Sequence, residues 1–256
     1  MQISTSIATS DASSVTIRGL SLVNDLIGKR SFTEMVFFLT CGAMPTTTQT
    51  TVLDACLVTL MEHGFTPSTL VTRLAADCVP DQVQIAMASG LLTIGGRFVG
   101  TMEGCAELLA EGMKATDKDE WCRVVAADHL EKRKPMPGFG HPFHKPDDPR
   151  TPRLFEVALA AGVEGHYIRL LKQLSGAVDA YLGKHLTINA TGAIGALLME
   201  VGIPVPVMRA MAVVSRCGGL AGHILEEHET HSARLLWKLA EDNIPYAVDR
   251  DQGAKA

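Results

Sequence analysis

Residues 133–153 hold the densest group of side chains able to do chemistry. Gly138 and Gly140 flank Phe139 and expose backbone amides, His141 follows, and basic side chains stand on both sides. Amides and cations together suit a polyanionic ligand, such as a phosphorylated cofactor or a di- or tricarboxylate. A rigid surface loop with solvated charges is the alternative. Six prolines predict a long irregular loop here, and such loops in compact proteins are usually functional.

The histidines and glycines of this loop do not match two common ligand motifs. His141 and His144 are three residues apart, but Pro142 lies between them and prevents the helical geometry of a metal-binding pair. No cysteine or third histidine is placed to complete a tetrahedron, so we expect no metal site. The glycines at 138 and 140 lack a preceding strand pattern, which argues against a dinucleotide fingerprint.

Two further side chains are candidates for binding a carboxylate. Arg216 lies in the apolar, small-residue segment 211–219, where a charge is costly unless it is paired or bound to an anion. A structural carboxylate and a carboxylate ligand both satisfy that requirement. His63 ends a predicted helix, where it is either a ligand-binding residue or a cation placed against the helix dipole.

Helical periodicity dominates the elements that must position these residues. Ser31 and Glu34 form a capping-box pattern and Gly42 is a typical helix stop, so a helix is predicted over 31–41. Small residues across 82–113 predict closely crossed, buried helices. The remaining helical patterns cover 47–63, 151–181, 186–201 and 205–229. Alternating apolar runs do not exceed about four residues, so the predicted fold class is all-α.

Composition limits the function classes. The 256 residues allow one large domain or two small ones that share a core. A net charge of −5 and a pI near 6.0 argue against a nucleic-acid binder, which needs a basic surface. Six scattered cysteines without a C-x-x-C pair predict reduced, buried thiols. The amino terminus lacks a signal-peptide pattern and no apolar run could span a membrane, so we expect a cytoplasmic protein without membrane contact.

Four segments, in order along the chain, resemble the citrate synthase-like family. Residues 137–141 with 148–150 resemble its signature loop, and residues 17–45 resemble its amino-terminal region. Residues 62–69 and 215–223 resemble two further conserved segments of the family. The matches cover most of 17–229.

The resemblance implies a fold, an assembly and a set of roles. The fold would be citrate synthase-like and all-α, with a large domain of 1–101 and 201–256 and a small domain of 102–200 that carries the coenzyme A-binding loop. The assembly would be a homodimer or a higher homo-oligomer. Oxaloacetate would be held by His63, His141 and Arg216, while Arg150 would hold the substrate or the loop. The coenzyme A thioester, a substrate, would contact Pro137, Gly138, Phe139, Gly140, Lys132, Arg133 and Lys134.

Two departures bear on the reaction. Phe98 stands where citrate synthases have the histidine that stabilises the acetyl-CoA enol, and residues 91–98 resemble instead the citryl-CoA lyase module of ATP-citrate lyases. Thr191 stands where the family has the aspartate that abstracts the acetyl proton. A threonine hydroxyl keeps its proton at neutral pH and cannot be that base.

We therefore expect a lyase that cleaves citryl-CoA, or a close analogue, into oxaloacetate and acetyl-CoA. His141, Thr191 and His63 are the predicted catalytic residues. His141 would act as base or proton donor at the tertiary hydroxyl, and Thr191 would donate a hydrogen bond to the thioester oxygen or relay a proton. A citrate or 2-methylcitrate synthase-type acyltransferase is the first alternative. A non-catalytic relative that binds an acyl-CoA or a carboxylate is the second.

Overall fold

The computed structural model describes residues 3–95 and 99–246, and helices make up most of them. A small antiparallel sheet near the amino terminus consists of β1 Ala8–Ser10, β2 Val15–Ile17 and β3 Leu20–Ser21, in that order. The predicted all-α class is confirmed. The sheet escaped prediction because strands of two or three residues are too short to show an alternating pattern.

The α-helices follow one another with short connections, apart from the proline-rich loop before α7. In chain order they are α1 Phe32–Cys41, α2 Thr47–Met61, α3 Pro67–Cys78, α4 Val83–Leu91, α5 Thr101–Lys114, α6 Lys118–Glu131, α7 Arg150–Ala160, α8 His166–Leu182, α9 Ala190–Glu200, α10 Met208–Thr230 and α11 Ser232–Asn243. None of the helices among the described residues is long and apolar enough to cross a membrane.

Local signals in the sequence account for several helix ends. The Ser31 hydroxyl accepts from the Glu34 amide and the Glu34 carboxylate accepts from the Ser31 amide, which completes the predicted capping box of α1. Gly42 ends that helix in the left-handed region, at φ 84°. The segment predicted as helix from residue 186 becomes helical only at Ala190, because Asn189 caps α9 and the residues before it pair with the proline-rich loop.

The chain divides into two compact units, which are described separately. The first consists of Met1–Met61 and Gly95–Ser215, and the second of Glu62–Ile94 and Arg216–Ala256. The large and small domains expected from the resemblance, 1–101 with 201–256 and 102–200, have other boundaries and stay a prediction.

In the first unit, α9 is the central helix. Its residues from Ala190 to Leu198 are buried apart from the half-buried Thr191, and α5, α8, α2 and α7 pack around it. Gly195 allows the close approach of α5, since a Cβ there would lie 2.6 Å from the carbonyl oxygen of Met102. The amino end of α9 is therefore held rigidly within a packed core.

In the second unit, α3 packs on α4 and α11 packs on α3. Gly90 of α4 faces α3 so closely that a Cβ would lie 1.9 Å from the Thr72 hydroxyl oxygen and 2.7 Å from the Ser68 carbonyl oxygen. The small residues of this segment thus allow the close helix crossing that their composition predicted.

Candidate active site

The proline-rich loop contacts the start of α9 through two glycines. Gly138 has φ +83°, and a Cβ on it would lie 2.7 Å from the Gly192 Cα and 2.9 Å from the Cys105 Sγ. A Cβ on Gly192 would lie 2.4 Å from the Gly138 carbonyl oxygen. Because both Cβ positions are filled by neighbouring atoms, only glycine lets the loop backbone lie this close to the helix.

Backbone pairing then aligns the loop with the residues that precede α9. Phe139 and Ile188 form an isolated antiparallel bridge. The Gly140 amide donates to the Thr187 carbonyl at 2.8 Å, and the Asn189 amide donates to the Gly138 carbonyl at 3.0 Å. Residues 138–140 are therefore held along the edge of a short extended segment, next to the amino end of a helix.

Asp148 anchors the far end of the loop. Its side chain is fully buried and accepts from the Arg150 backbone amide, Nε and Nη2, and from the Ala190 amide at 2.9 Å. Burial acts to raise the pKa of Asp148, but the hydrogen bonds from Arg150 and Ala190 outweigh it and the pKa is lowered. Arg150 is therefore tied to the loop through Asp148, and both roles expected for it stay predictions.

His141 is oriented by the backbone that follows it. Its Nδ1 accepts from the amides of Phe143 at 3.2 Å and His144 at 3.0 Å, and its ring stacks on that of His144 with centroids 4.3 Å apart. A neutral imidazole whose Nδ1 accepts must carry its proton on Nε2. His141 therefore presents an N–H donor at Nε2.

Thr191 lies in the first turn of α9, and its hydroxyl proton already has an acceptor. The Asn189 amide is oriented unambiguously, because Nδ2 donates to the Gly140 carbonyl at 2.8 Å and Oδ1 accepts from the Gly192 amide at 3.0 Å. The Thr191 hydroxyl donates to that Oδ1 at 2.7 Å. Since it has one proton, the Thr101 hydroxyl at 2.8 Å must be the donor in their contact.

The three predicted coenzyme A-binding cations lie at the exposed start of the loop, just after α6. Lys132 pairs with Asp128, Arg133 takes the left-handed conformation at φ +51°, and the Lys134 amide donates to the His129 carbonyl at 2.8 Å. The buried Met136 separates these cations from the glycines. Their exposure leaves the charges accessible to a phosphate group.

A cavity of about 420 Å³ adjoins the loop and was not foreseen from the sequence. Asp147, Asp148, Phe155, Lys172 and His185 contribute to its wall. His185 lies between Asp179 at 2.6 Å and Asp147 at 3.0 Å, and these hydrogen bonds raise its pKa. The wall combines charged side chains with apolar ones such as Phe155 and Ile188, as the walls of ligand-binding cavities usually do.

In the second unit, His63 and Arg216 meet the same carboxylate, that of Glu62. Glu62 Oε1 accepts from the amides of His63 at 2.8 Å and Gly64 at 2.6 Å. Glu62 Oε2 lies 3.1 Å from His223 Nε2 and 3.6 Å from Arg216 Nη1. Burial acts to raise the pKa of Glu62, but the hydrogen bonds from His223 and from the two amides lower it overall.

Arg216 combines burial with an incomplete set of hydrogen bonds. Its side chain is 13% exposed, and burial lowers its pKa despite the opposing effect of Glu62. The 3.6 Å separation from Glu62 is an ion-pair distance but too long for a hydrogen bond, and the buried Nη1 has no hydrogen-bond acceptor among the described residues. A guanidinium in this state favours a further carboxylate ligand.

Arg73 was missed by the sequence analysis. This residue of α3 is 2% exposed and lies among partners from α10 and α11. It donates to Glu227 at 3.0 Å, to Ser232 at 3.1 Å, to Glu226, and through Nε to His223 Nδ1 at 3.0 Å. The available signal was an arginine among the small and apolar residues of 70–76, comparable to Arg216 in its own apolar segment.

The predicted site residues belong to both units and are described within each. His141, Arg150 and Thr191 lie with the loop backbone of 137–140 around the start of α9. His63 and Arg216 lie around Glu62 in the second unit. Phe98 is outside the described residues.

Comparison with known proteins identifies related chains. The family model for the citrate synthase C-terminal domain matches residues 44–238. Citrate synthase from Haloferax volcanii is 26% identical over 192 residues, which cover 73% of this chain and 49% of that protein. The chain spans about half the length of the curated relatives it matches.

Solved structures share the fold over nearly the whole chain. The structure of citryl-CoA lyase from Hydrogenobacter thermophilus matches with a TM-score of 0.86 and 28% identity, over 96% of this chain and 94% of that one. ATP citrate lyase from Methanothrix soehngenii, in complex with citrate and coenzyme A, matches with a TM-score of 0.81 and 22% identity, over 100% of this chain and 43% of that one. The predicted fold family is confirmed.

Proposed function

Because this chain belongs to the citrate synthase family, we propose that it cleaves the carbon–carbon bond of citryl-CoA, or of a close analogue, to release oxaloacetate and acetyl-CoA. One observation carries the direction of the reaction. Where the family resemblance expects a carboxylate base, the first turn of α9 offers the Thr191 hydroxyl, whose proton is already donated to Asn189. Condensation needs a base to form the enolate of acetyl-CoA, whereas cleavage generates that enolate by breaking a bond.

Cleavage places its own demands on proton transfer. The tertiary hydroxyl loses its proton as the bond breaks, and the enolate gains a proton on carbon, so the reaction balances without a co-reactant. Of the two roles considered for His141, the Nε2–H tautomer supports a hydrogen-bond donor that orients the hydroxyl oxygen, while the hydroxyl proton passes to water and water returns a proton to the enolate carbon. To act as base at Nε2, the ring would have to move its proton to Nδ1 and give up both loop contacts.

Carboxylate binding is assigned to Arg216 and His63. The buried Nη1 of Arg216 favours an anionic ligand, and a substrate carboxylate supplies one. His63 is exposed on the turn that follows α2, which suits a residue that meets a ligand. These roles come from the resemblance and agree with the local electrostatics.

Coenzyme A is assigned to the loop. Its phosphates suit the exposed side chains of Lys132, Arg133 and Lys134, and its thioester arm suits the backbone of 137–140. The likeness of the chain to a citryl-CoA lyase over almost its whole length supports this substrate class. The likeness to ATP citrate lyase with bound citrate and coenzyme A is consistent with it through the shared fold.

A two-way assay tests the proposal. Purified protein receives citryl-CoA, and oxaloacetate is followed by its reduction with malate dehydrogenase and NADH. In parallel, it receives oxaloacetate with acetyl-CoA, and free thiol is followed. We expect oxaloacetate from citryl-CoA and negligible thiol release in the second assay. His141→Ala is the control, since loss of the donor should abolish cleavage while the protein still folds.

A synthase of the citrate or 2-methylcitrate type is the second candidate, favoured by the named function of the curated relatives. Rapid thiol release from oxaloacetate with acetyl-CoA or propionyl-CoA would establish it and reject the lyase. Tight binding of both ligands without either reaction would instead identify a non-catalytic binder.

A further inference from the structure

Glu62 connects the two residues of the second unit to which the proposed function assigns the substrate. One carboxylate oxygen caps the backbone of His63 and Gly64, at 2.8 and 2.6 Å, and so defines the turn that carries the His63 side chain. The other oxygen faces the Arg216 guanidinium at 3.6 Å. This carboxylate therefore contacts both the backbone that carries the imidazole and the guanidinium itself.

His223 orients Glu62. The His223 Nδ1 accepts from Arg73 Nε at 3.0 Å, which puts the ring proton on Nε2. That Nε2 lies 3.1 Å from Glu62 Oε2, so the ring donates to the carboxylate. His223 is only 13% exposed and is held on both sides, with one nitrogen accepting and the other donating.

Arg73 provides the fixed end of the chain. Its guanidinium is nearly fully buried, and Glu226 and Glu227 supply the carboxylates that neutralise it. The Glu227 side chain is fully buried and also accepts from the Ala233 amide at 2.8 Å. The charge of Arg73 is balanced without His223. The hydrogen bond from Arg73 Nε therefore orients the His223 ring and is not needed to neutralise the guanidinium.

We propose that His223, oriented by Arg73, is a positioning residue that holds Glu62 and, through it, the substrate-binding side chains of His63 and Arg216. The inference rests on the proposed function for the meaning of His63 and Arg216. Hydrogen-bond partners behind a binding residue commonly control its affinity in this way.

Three variants separate positioning from general stability. His223→Phe fills the ring volume but removes both hydrogen bonds. His223→Gln restores them, because an amide oxygen accepts from Arg73 while the amide nitrogen donates to Glu62. Ser232→Ala is the matched control, since Ser232 bonds to the same Arg73 and Glu227 but does not lead to Glu62.

Two measurements are made on the full chain. The first is hydrogen exchange of the His63 and Gly64 amides by NMR without ligand. The second is the dissociation constant for oxaloacetate by calorimetry. We expect His223→Phe to exchange these two amides at least tenfold faster and to weaken oxaloacetate binding about tenfold or more, the effect of losing a hydrogen bond to a charged group. His223→Gln should recover both, and Ser232→Ala should change neither.

The outcomes distinguish this inference from the proposed function. Wild-type exchange of the two amides in His223→Phe would overturn the positioning role, as would equal losses in Ser232→Ala. If the wild-type protein does not bind oxaloacetate while the amides still respond to His223→Phe and recover in His223→Gln, the proposed function fails and the positioning of the turn stands.

Discussion

At the scale of single residues, Asn189 determines what Thr191 can do. Its side-chain amide caps α9, donates a hydrogen bond to the Gly140 carbonyl and accepts one from the Thr191 hydroxyl. The loop, the helix and the hydroxyl are therefore all bonded to the same side-chain amide. The hypothesis that Thr191 donates to the thioester oxygen therefore requires the hydroxyl to leave Asn189 when the substrate binds. The alternative, a relay of the final proton to the enolate, requires the same departure, because the Thr191 hydroxyl must donate to the enolate carbon and take a replacement proton from Thr101.

Replacement of Thr191 tests this residue directly. Thr191→Val keeps the shape and removes the hydroxyl, and we expect citryl-CoA cleavage to fall at least tenfold, because a group in the proton path contributes about that much or more. Thr191→Ser should retain most of the rate. Steady-state cleavage kinetics measure both, and an unchanged kcat in Thr191→Val would show that the hydroxyl has no catalytic part.

The lowered pKa of Asp148 predicts that the free energy of unfolding depends on pH. Because its pKa is lowered in the folded state, its contribution is present above the ordinary carboxyl pKa and is lost as pH falls through the lowered value. Asp148→Asn should reduce the free energy of unfolding at pH 7 by about 3 kcal/mol, as expected when a buried ion pair loses one partner. The loss should shrink as pH falls below about 4.

Urea unfolding from pH 3 to 7 measures this difference between the wild-type protein and Asp148→Asn. The control is Asp147→Asn, since Asp147 is mostly exposed and pairs with the half-exposed His185. A difference for Asp148→Asn that stays constant across the whole range would contradict the lowered pKa.

At the scale of elements, the start of α9 shows how a loop and a helix together make a site. The sequence predicted both, but not that residues 187 and 188 would leave the helical pattern and pair with the loop. Backbone pairing between distant segments leaves no pattern in the sequence of either segment. The backbone amides of each segment could also form their hydrogen bonds within a helix or with water. The predicted helix began at residue 186, so neither the cap at Asn189 nor its second bond to Gly140 was foreseen.

The glycine contact between the loop and α9 gives an element-scale prediction. Gly138→Ala should lower the free energy of unfolding by about 2 kcal/mol or more, because it strains a positive φ and forces apart two backbones already in contact. Gly176→Ala in α8 is the control, since nothing lies within 4 Å of its Cβ position and the substitution should stabilise the helix by up to about 1 kcal/mol. Urea denaturation measures both, and a neutral Gly138→Ala would contradict the close approach.

At the scale of the whole molecule, the proposed reaction requires a supplier of the thioester. The proposed reaction starts from citryl-CoA, and an ATP-dependent citrate–CoA ligase is the class of enzyme that makes this thioester. We expect no oxaloacetate when this chain receives citrate, ATP and coenzyme A, and oxaloacetate formation once an ATP-dependent citrate–CoA ligase is added. The malate dehydrogenase assay follows the product, and product formation by this chain alone would contradict the requirement.

The assembly and the location of the protein stay predictions. The homodimer or higher homo-oligomer follows from the family resemblance, and the cytoplasmic location follows from the sequence pattern. The finding that no described helix could span a membrane concerns the helices alone.

The sequence by itself determined the all-α class and the family, and it predicted the residues of the site. These properties follow from helical periodicity and from short motifs such as 137–141. Both involve residues that are close together in the chain, so they can be recognised without the tertiary structure. Only the tertiary structure decided that Arg150 pairs with Asp148, that His141 Nδ1 accepts from the loop backbone, and that Arg73, His223 and Glu62 are linked in series. These depend on distances between residues far apart in the chain, such as Arg73 and His223, and a tautomer or a hydrogen-bond direction exists only once both partners are in place.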